Sequence, residues 1–195
     1  MVISLIVISV VIVTVIVIYN QLVALRNGYE NRFAQIDVQL KRRHDLIPNL
    51  VATAKGYLQH ERETLESVIA ARDQAAQQLN QLNQAVKSGA ALDLNSFNQA
   101  ESFLGQALGR LNVVIEDYPE LKADQTMQDL SRQITHTEHE IAEARTVFND
   151  TATAYNQYRQ SFPPILVAGL LGFQQNASLL DFSAYKLDVP PNVVF

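Results

Sequence analysis

The chain has 195 residues, 48% of them hydrophobic and 18% charged, with 6 Pro and 7 Gly, a composition that excludes a long disordered chain. It contains no cysteine, which excludes disulfide frameworks, thiolate zinc sites, iron–sulfur clusters and cysteine nucleophiles. A net charge of -5 argues against nucleic acid as the main ligand. Mean hydropathy is close to zero, as in an ordinary soluble domain, but the apolar residues are unevenly spread.

No charged side chain occurs from Met1 to Leu25. From Val2 to Ile18 the only polar residues are Ser4, Ser9 and Thr14, small hydroxyls able to bond back to a helix carbonyl. About 17–24 residues rising ~1.5 Å each cross a ~30 Å hydrocarbon layer. The Val/Ile content favours strand in water. In lipid a single segment must satisfy its own backbone, so the run reads as a transmembrane helix. A cleaved signal peptide is the competing reading. It needs a basic leading region and a small-residue cleavage site, and Tyr19-Asn20-Gln21 is a poor one. Residues 1–25 are therefore read as an uncleaved anchor, with lipid contact through residues 2–18. The basic residues Arg26, Arg32, Lys41, Arg42 and Arg43 all follow the run, which places the C-terminal part on the cytoplasmic side.

The remainder, residues 26–162, reads as an all-α antiparallel bundle of three to four long helices. Apolar residues recur at steps of three and four: Leu22, Leu25, Tyr29, Phe33, Ile36, Leu40, then Ile47, Leu50, Ala54, Leu58, Leu65, Val68, Ala75, Leu79 and Leu82. This predicts a helix over about 26–87, kinked or restarted at Pro48 and closed at Ser88-Gly89. A second helix is predicted over 96–117 with the stripe Phe97, Ala100, Leu104, Leu108, Leu111 and Ile115, its end set by Tyr118-Pro119. Gly105 and Gly109 fit a close helix approach there. A third is predicted over 119–161 with the seam Met127, Leu130, Ile134, Thr137, Ile141, Ala144, Phe148, Thr151, Tyr155 and Tyr158. Pro163-Pro164 stops it. Residues 163–195 read as a short apolar turn and an extended tail.

The predicted lengths are unequal. The third helix overshoots the first by roughly 30 Å if the helices run up, down and up. The overshooting part carries Phe148, Tyr155, Tyr158 and Phe162, which need cover. Three covers are open: the C-terminal tail, a compact four-helix arrangement made by a break at Pro48, or neighbouring copies in a homo-oligomer.

Several stretches resemble a known family. They are Tyr19 to Asn27, Gln35 to Arg43, Asp45-Leu46-Ile47-Pro48-Asn49-Leu50-Val51, Lys55-Gly56-Tyr57, Tyr118-Pro119-Glu120-Leu121-Lys122-Ala123, Tyr155-Asn156, Phe162-Pro163, Gly172-Phe173 and the Val193…Phe195 ending. Together they are similar to the LemA family of bacterial membrane proteins over nearly the whole chain. The resemblance implies an N-terminal span, a helical bundle and a place in the bacterial inner membrane, and implies no catalytic activity. It also implies an accessory or scaffold role, since members neighbour membrane-bound metalloproteases in genomes and a relative takes part in magnetosome membrane formation. His136 and His139 depart from the family pattern, as does Phe148 where tyrosine is usual.

The candidate chemistry is sparse. His136 and His139, with Glu140 and Glu143, are the weak candidates for metal binding, since i,i+3 and i,i+4 ligands share a helix face. The spacing matches neither a zinc helix nor a di-iron bundle, and a solvated polar face is the favoured reading. Lys41-Arg42-Arg43 is the strongest basic cluster. Lys41 lies about 24 Å beyond Leu25 along a straight helix, outside the ~8–10 Å reach of lipid charge. Pairing with acidic residues of the third helix such as Glu138 and Glu143 is expected instead, with a partner surface as the alternative. Arg26 is better placed for head groups. Ile165, Leu166, Leu170, Leu171 and Phe173 are the candidate contact with a partner or the membrane surface.

These features predict a non-enzymatic, cofactor-free, membrane-anchored scaffold that forms a homo-oligomer or organises membrane proteins, with no nucleic acid and no small-molecule substrate. An adaptor or regulator of a membrane protease is the first alternative, and a metal-binding bundle enzyme the second.

Overall fold

The computed structural model describes residues 1–88 and 94–181. Among them are five helices: α1 (Val2–Lys55), α2 (Arg62–Ser88), α3 (Leu94–Glu116), α4 (Pro119–Ala123) and α5 (Gln125–Gln160). A 3-10 turn at Pro164–Leu166 follows, and no strand occurs among the described residues. The predicted close at Gly89 and the extended tail beyond Asp181 lie outside the described residues.

The chain divides into two compact units. The first takes residues 1–36 and 143–179, the second residues 37–88, 94–142 and 180–181. Both α1 and α5 contribute residues to each.

The second unit is a helical bundle built from the end of α1, α2, α3, α4 and the start of α5. The core joins Ile47, Leu50 and Ala54 of α1 to Leu65, Val68 and Ala75 of α2. Leu104, Leu108 and Leu111 of α3 complete it with Leu121, Met127 and Leu130. The seam read from the sequence is thus the buried seam.

The long first helix is two helices. Pro48 lies inside α1, which continues to Lys55. The chain turns instead at residues 56–61, where Tyr57 and Leu58 both donate to the Ala54 carbonyl, at 3.0 and 2.9 Å. Leu58 is buried and fixes the turn to the core. Pro48 removes one N–H, and the carbonyl it leaves without a helical donor is that of His44. Arg72 of α2 supplies the replacement, its Nε–H donating to the His44 carbonyl at 2.9 Å. A satisfied carbonyl lets the helix run through the proline.

The predicted helix 119–161 also divides. Asp124 ends α4 with extended backbone, and its carboxylate accepts from the Met127 N–H at 2.8 Å, an N-cap for α5. The Tyr57 hydroxyl donates to the other Asp124 oxygen at 3.1 Å and ties the α1–α2 turn to this junction. Gly109 does not mediate a close helix approach, since a Cβ there would meet nothing within 4 Å.

The first unit has its own core. Ile18 and Leu22 of α1 meet Tyr155 of α5 and Ala168 and Phe173 of the C-terminal segment. Tyr29 sits edge-on to Phe148 and close to Tyr155, with ring centroids at 6.2 and 5.3 Å, and Phe33 is 6.0 Å from Phe148. Phe148 and Tyr155 are therefore covered by their own chain, through α1 and the C-terminal segment.

Candidate functional site

Two groups of residues stand out, one in each unit. In the first unit, α1 presents branched aliphatic side chains outward at nearly every position from Val2 to Val17. This helix is long and apolar enough to cross a membrane, by length and composition. Its hydroxyls stay local: Thr14 donates to the Val10 carbonyl at 2.8 Å.

The run gives way to packed surface at Ile18. Here Phe173 lies edge-on to Tyr19, centroids 5.9 Å apart. Side chains of α5 hold the C-terminal segment in place. Asn156 clips Ala177 at both ends of its amide, donating to the carbonyl at 2.8 Å and accepting from the N–H at 2.7 Å. Arg159 donates to the Gln174 carbonyl at 3.1 Å and to the Asn176 side chain. Gly172 turns the chain at φ +90°.

The candidate interaction residues of this unit fall into two sets. Phe148, Tyr155 and Phe173 are buried, and Tyr158 and Leu171 are partly buried against the same core. Phe162, Ile165, Leu166 and Leu170 are exposed, Leu170 at 88% and Phe162 at 80%. Arg26 is also exposed and pairs with Glu30 at 2.8 Å.

The second unit buries charge. Arg43 occupies a seam position of α1, between Leu40 and Ile47, and is 4% exposed. Its Nη2 bonds the Glu101 carboxylate of α3, and its Nη1 bonds Glu138 of α5 at 2.6 Å. The other Glu101 oxygen meets His44 Nε2 at 3.2 Å. Burial, with the Arg43 and Arg72 guanidiniums beside it, pushes the His44 imidazole down to about 3. His44 is therefore neutral at physiological pH, and with Nε2 protonated it donates to Glu101. The Arg43 Nε–H is buried without a partner.

Arg43 thus pairs with Glu138, as the sequence predicted. Its more deeply buried partner, Glu101, was missed. The signal was present: 97, 101, 104, 108, 111 and 115 step by three and four, so Glu101 holds a seam position of α3 just as Arg43 does in α1. Lys41 and Arg42 stay on the surface. Lys41 pairs with Asp37 at 2.6 Å, and Asn83 of α2 donates to the same carboxylate. His136 is exposed, 4.0 Å from Glu140, and His139 is also exposed. Among the described residues no group of three or more His, Asp or Glu side chains is placed to hold a metal ion.

The LemA family matches residues 32–195. The chain belongs to the LemA family. Curated relatives of this LemA-family chain include the magnetosome protein MamQ of Magnetospirillum gryphiswaldense, 24% identical over 170 residues, which make up 80% of this chain and 62% of MamQ. Magnetosome protein MamQ 2 of Paramagnetospirillum magneticum is 25% identical with the same coverage. Protein LemA of Metamycoplasma hominis is 26% identical over 87% of this chain and 72% of its own length. The chain thus spans about three-fifths of the length of the MamQ relatives. None of these names denotes an enzymatic activity. The LemA-like pieces Tyr155-Asn156 and Gly172-Phe173, distant in sequence, meet in the C-terminal clip of the first unit.

Proposed function

We propose that this LemA-family protein is a non-enzymatic membrane-anchored scaffold. In this reading residues 2–18 cross the bacterial inner membrane once, and the helical part works by binding protein, including further copies of itself. The observation that carries the reading is the exposure of the apolar run. Only 6% of its most apolar window is buried within the chain. Each Val or Ile side chain left in water forgoes about 1.5–3 kcal/mol of burial, so hydrocarbon is the environment this surface fits. The basic residues from Arg26 to Arg43 favour a cytoplasmic bundle.

Protein binding is supported by what the bundle leaves outside. Phe103 and Val113 of α3 are 53% and 68% exposed. The buried charges Arg43 and Glu101 and the part-buried Glu138 are committed to one another, so they serve the architecture. The relation to magnetosome proteins agrees with a role at a membrane.

The test is purification of the full chain from membranes in mild detergent. The expected result is extraction from the membrane only by detergent, and a homomeric species of fixed size by mass measurement. A monomer at every concentration would overturn self-assembly. Recovery of one larger membrane protein in fixed ratio would favour the adaptor role.

A further inference from the structure

The C-terminal turn leaves its largest apolar side chains outside. Phe162, Ile165, Leu166 and Leu170 are 80%, 56%, 65% and 88% exposed. They lie in a segment without charge, since no Asp, Glu, Lys or Arg occurs between Arg159 and Asp181. In this charge-free segment Ala168 and Phe173 are buried, but four large apolar side chains stay outside, a contiguous apolar surface that a water-facing loop does not usually show.

The position of the turn identifies the occupant. Ala168 packs against Ile18 and Leu22, and Phe173 stands edge-on to Tyr19. These α1 residues mark the end of the exposed apolar run, where α1 passes from bare aliphatic surface to packed core. Tyr19 is the kind of amphipathic ring that sits at head-group level. The apolar surface of the turn therefore continues the apolar surface of α1 within one unit. The turn is also held rigidly, through the Asn156 clip to Ala177 and the Arg159 bonds to Gln174 and Asn176.

We propose that the turn at residues 162–171 is a second membrane contact, inserting Phe162, Ile165, Leu166 and Leu170 into the boundary between lipid head groups and acyl chains beside the transmembrane helix. The proposal rests on the reading of residues 2–18 as a span. It turns a single helical anchor into a two-point seat, because α1 and the turn enter the same leaflet from one packed core. Interfacial segments bind in this way, through buried apolar area at shallow depth.

The chain has no tryptophan, so single-tryptophan variants report cleanly. The full-length protein is reconstituted in phosphatidylcholine–phosphatidylglycerol vesicles with and without brominated acyl chains. Three variants are compared: Leu170→Trp in the turn, Val10→Trp in the span, and Val147→Trp on α5. Val147 is partly exposed and next to Phe148, about 12 Å along α5 from Tyr155. The expected result is strong quenching of Val10→Trp, and blue-shifted emission with quenching from shallow bromines for Leu170→Trp. Val147→Trp stays unquenched. Quenching at Val10 without quenching at Leu170 overturns the second contact and leaves the span standing. Blue-shifted but unquenched emission at Leu170 assigns the turn to a protein partner or a second copy and also overturns it. Loss of quenching at both sites overturns the span reading and this proposal together.

Discussion

The side chain of Arg72 on α2 donates its Nε–H to the main-chain carbonyl of His44 on α1. That carbonyl is the one Pro48 deprives of its helical donor. A side chain from a neighbouring helix thus replaces a missing backbone bond, and the replacement exists only because α2 packs here. Replacing Arg72 by Met removes the donor and leaves a part-buried carbonyl unmet, at a cost of about 1–3 kcal/mol. In a Pro48→Ala background residue 48 donates again. The same Arg72→Met change is then expected to cost less by about 1 kcal/mol, the coupling typical of contacting groups. Denaturant unfolding of the four proteins, followed by circular dichroism in detergent, measures the coupling. Arg72 also forms ion pairs with Asp45 at 3.8 Å and Asp73 at 2.9 Å, and equal costs in both backgrounds would show that it acts only through these.

The buried pair Arg43 and Glu101 makes a sharper demand. Removing one partner leaves a charge without compensation in a dry interior, which costs about 3–5 kcal/mol. Glu101→Leu is expected to destabilise by less than that full amount, since Glu138 still pairs with Arg43. The double variant Arg43→Met, Glu101→Leu replaces both charges by apolar groups and is expected to recover most of the loss. The two unfolding midpoints decide it. A double variant as unstable as Glu101→Leu alone would mean that the pair stabilises the core beyond what apolar packing can match.

His44 gives the bundle a pH dependence of known sign. Its folded value of about 3 lies below the ordinary 6.5, so the unfolded chain takes up the proton first. Its contribution is complete above pH 6.5 and is lost as the pH falls toward 3. The groups facing it are consistent with this: Arg43 and Arg72 oppose protonation, Asp37 favours it weakly, and Glu101 is already engaged by Arg43. Between pH 7 and 5 the loss amounts to about 2 kcal/mol, from ~1.4 kcal/mol per unit. A His44→Gln variant is expected to show a flatter stability profile over that interval than the wild type. Parallel profiles would place the imidazole in a more polar setting than its burial implies.

The seams were legible because helix burial has a period, and Leu22, Ile36, Leu40, Ile47, Leu104 and Thr137 all lie where the three–four spacing put them. The turn at residues 56–61 was not, because Ala54, Leu58 and Leu65 keep the same phase across it. Pro48 drew the break to itself, and nothing local announces that Arg72, 24 positions on, will satisfy the freed carbonyl. Asp124 carried its own signal as an N-cap three residues before Met127, which the Pro119 start obscured. Glu101 was hidden differently. Positions 100 and 101 both fit the stripe of α3, and a single sequence favours the alanine. Only the facing charge at a seam position of α1 makes the glutamate the better choice. The metal candidates His136 and His139 drew notice by residue type and helical spacing, and the structure leaves both on an exposed face.

Two glycines separate conformational need from packing. Gly109 lies in the middle of α3 with open space where a Cβ would go, and its φ is helical. Gly109→Ala is expected to stabilise the protein by about 0.5–1 kcal/mol, by lowering the entropy of the unfolded chain. Gly172 also has open space around it, but its φ of +90° is one that L-residues rarely adopt. There the same substitution is expected to cost about 1–2 kcal/mol. The cost should be local, since the glycine sets the turn that carries Phe173 to Tyr19. Hydrogen exchange at Phe173 and Ala177 would then rise in Gly172→Ala, while amides of α2 and α3 keep their protection. Opposite signs for two alanines that both enter empty space would show that backbone conformation, not room, fixes the C-terminal turn. A neutral Gly172→Ala would mean that the turn relaxes to negative φ without losing its seat against α1.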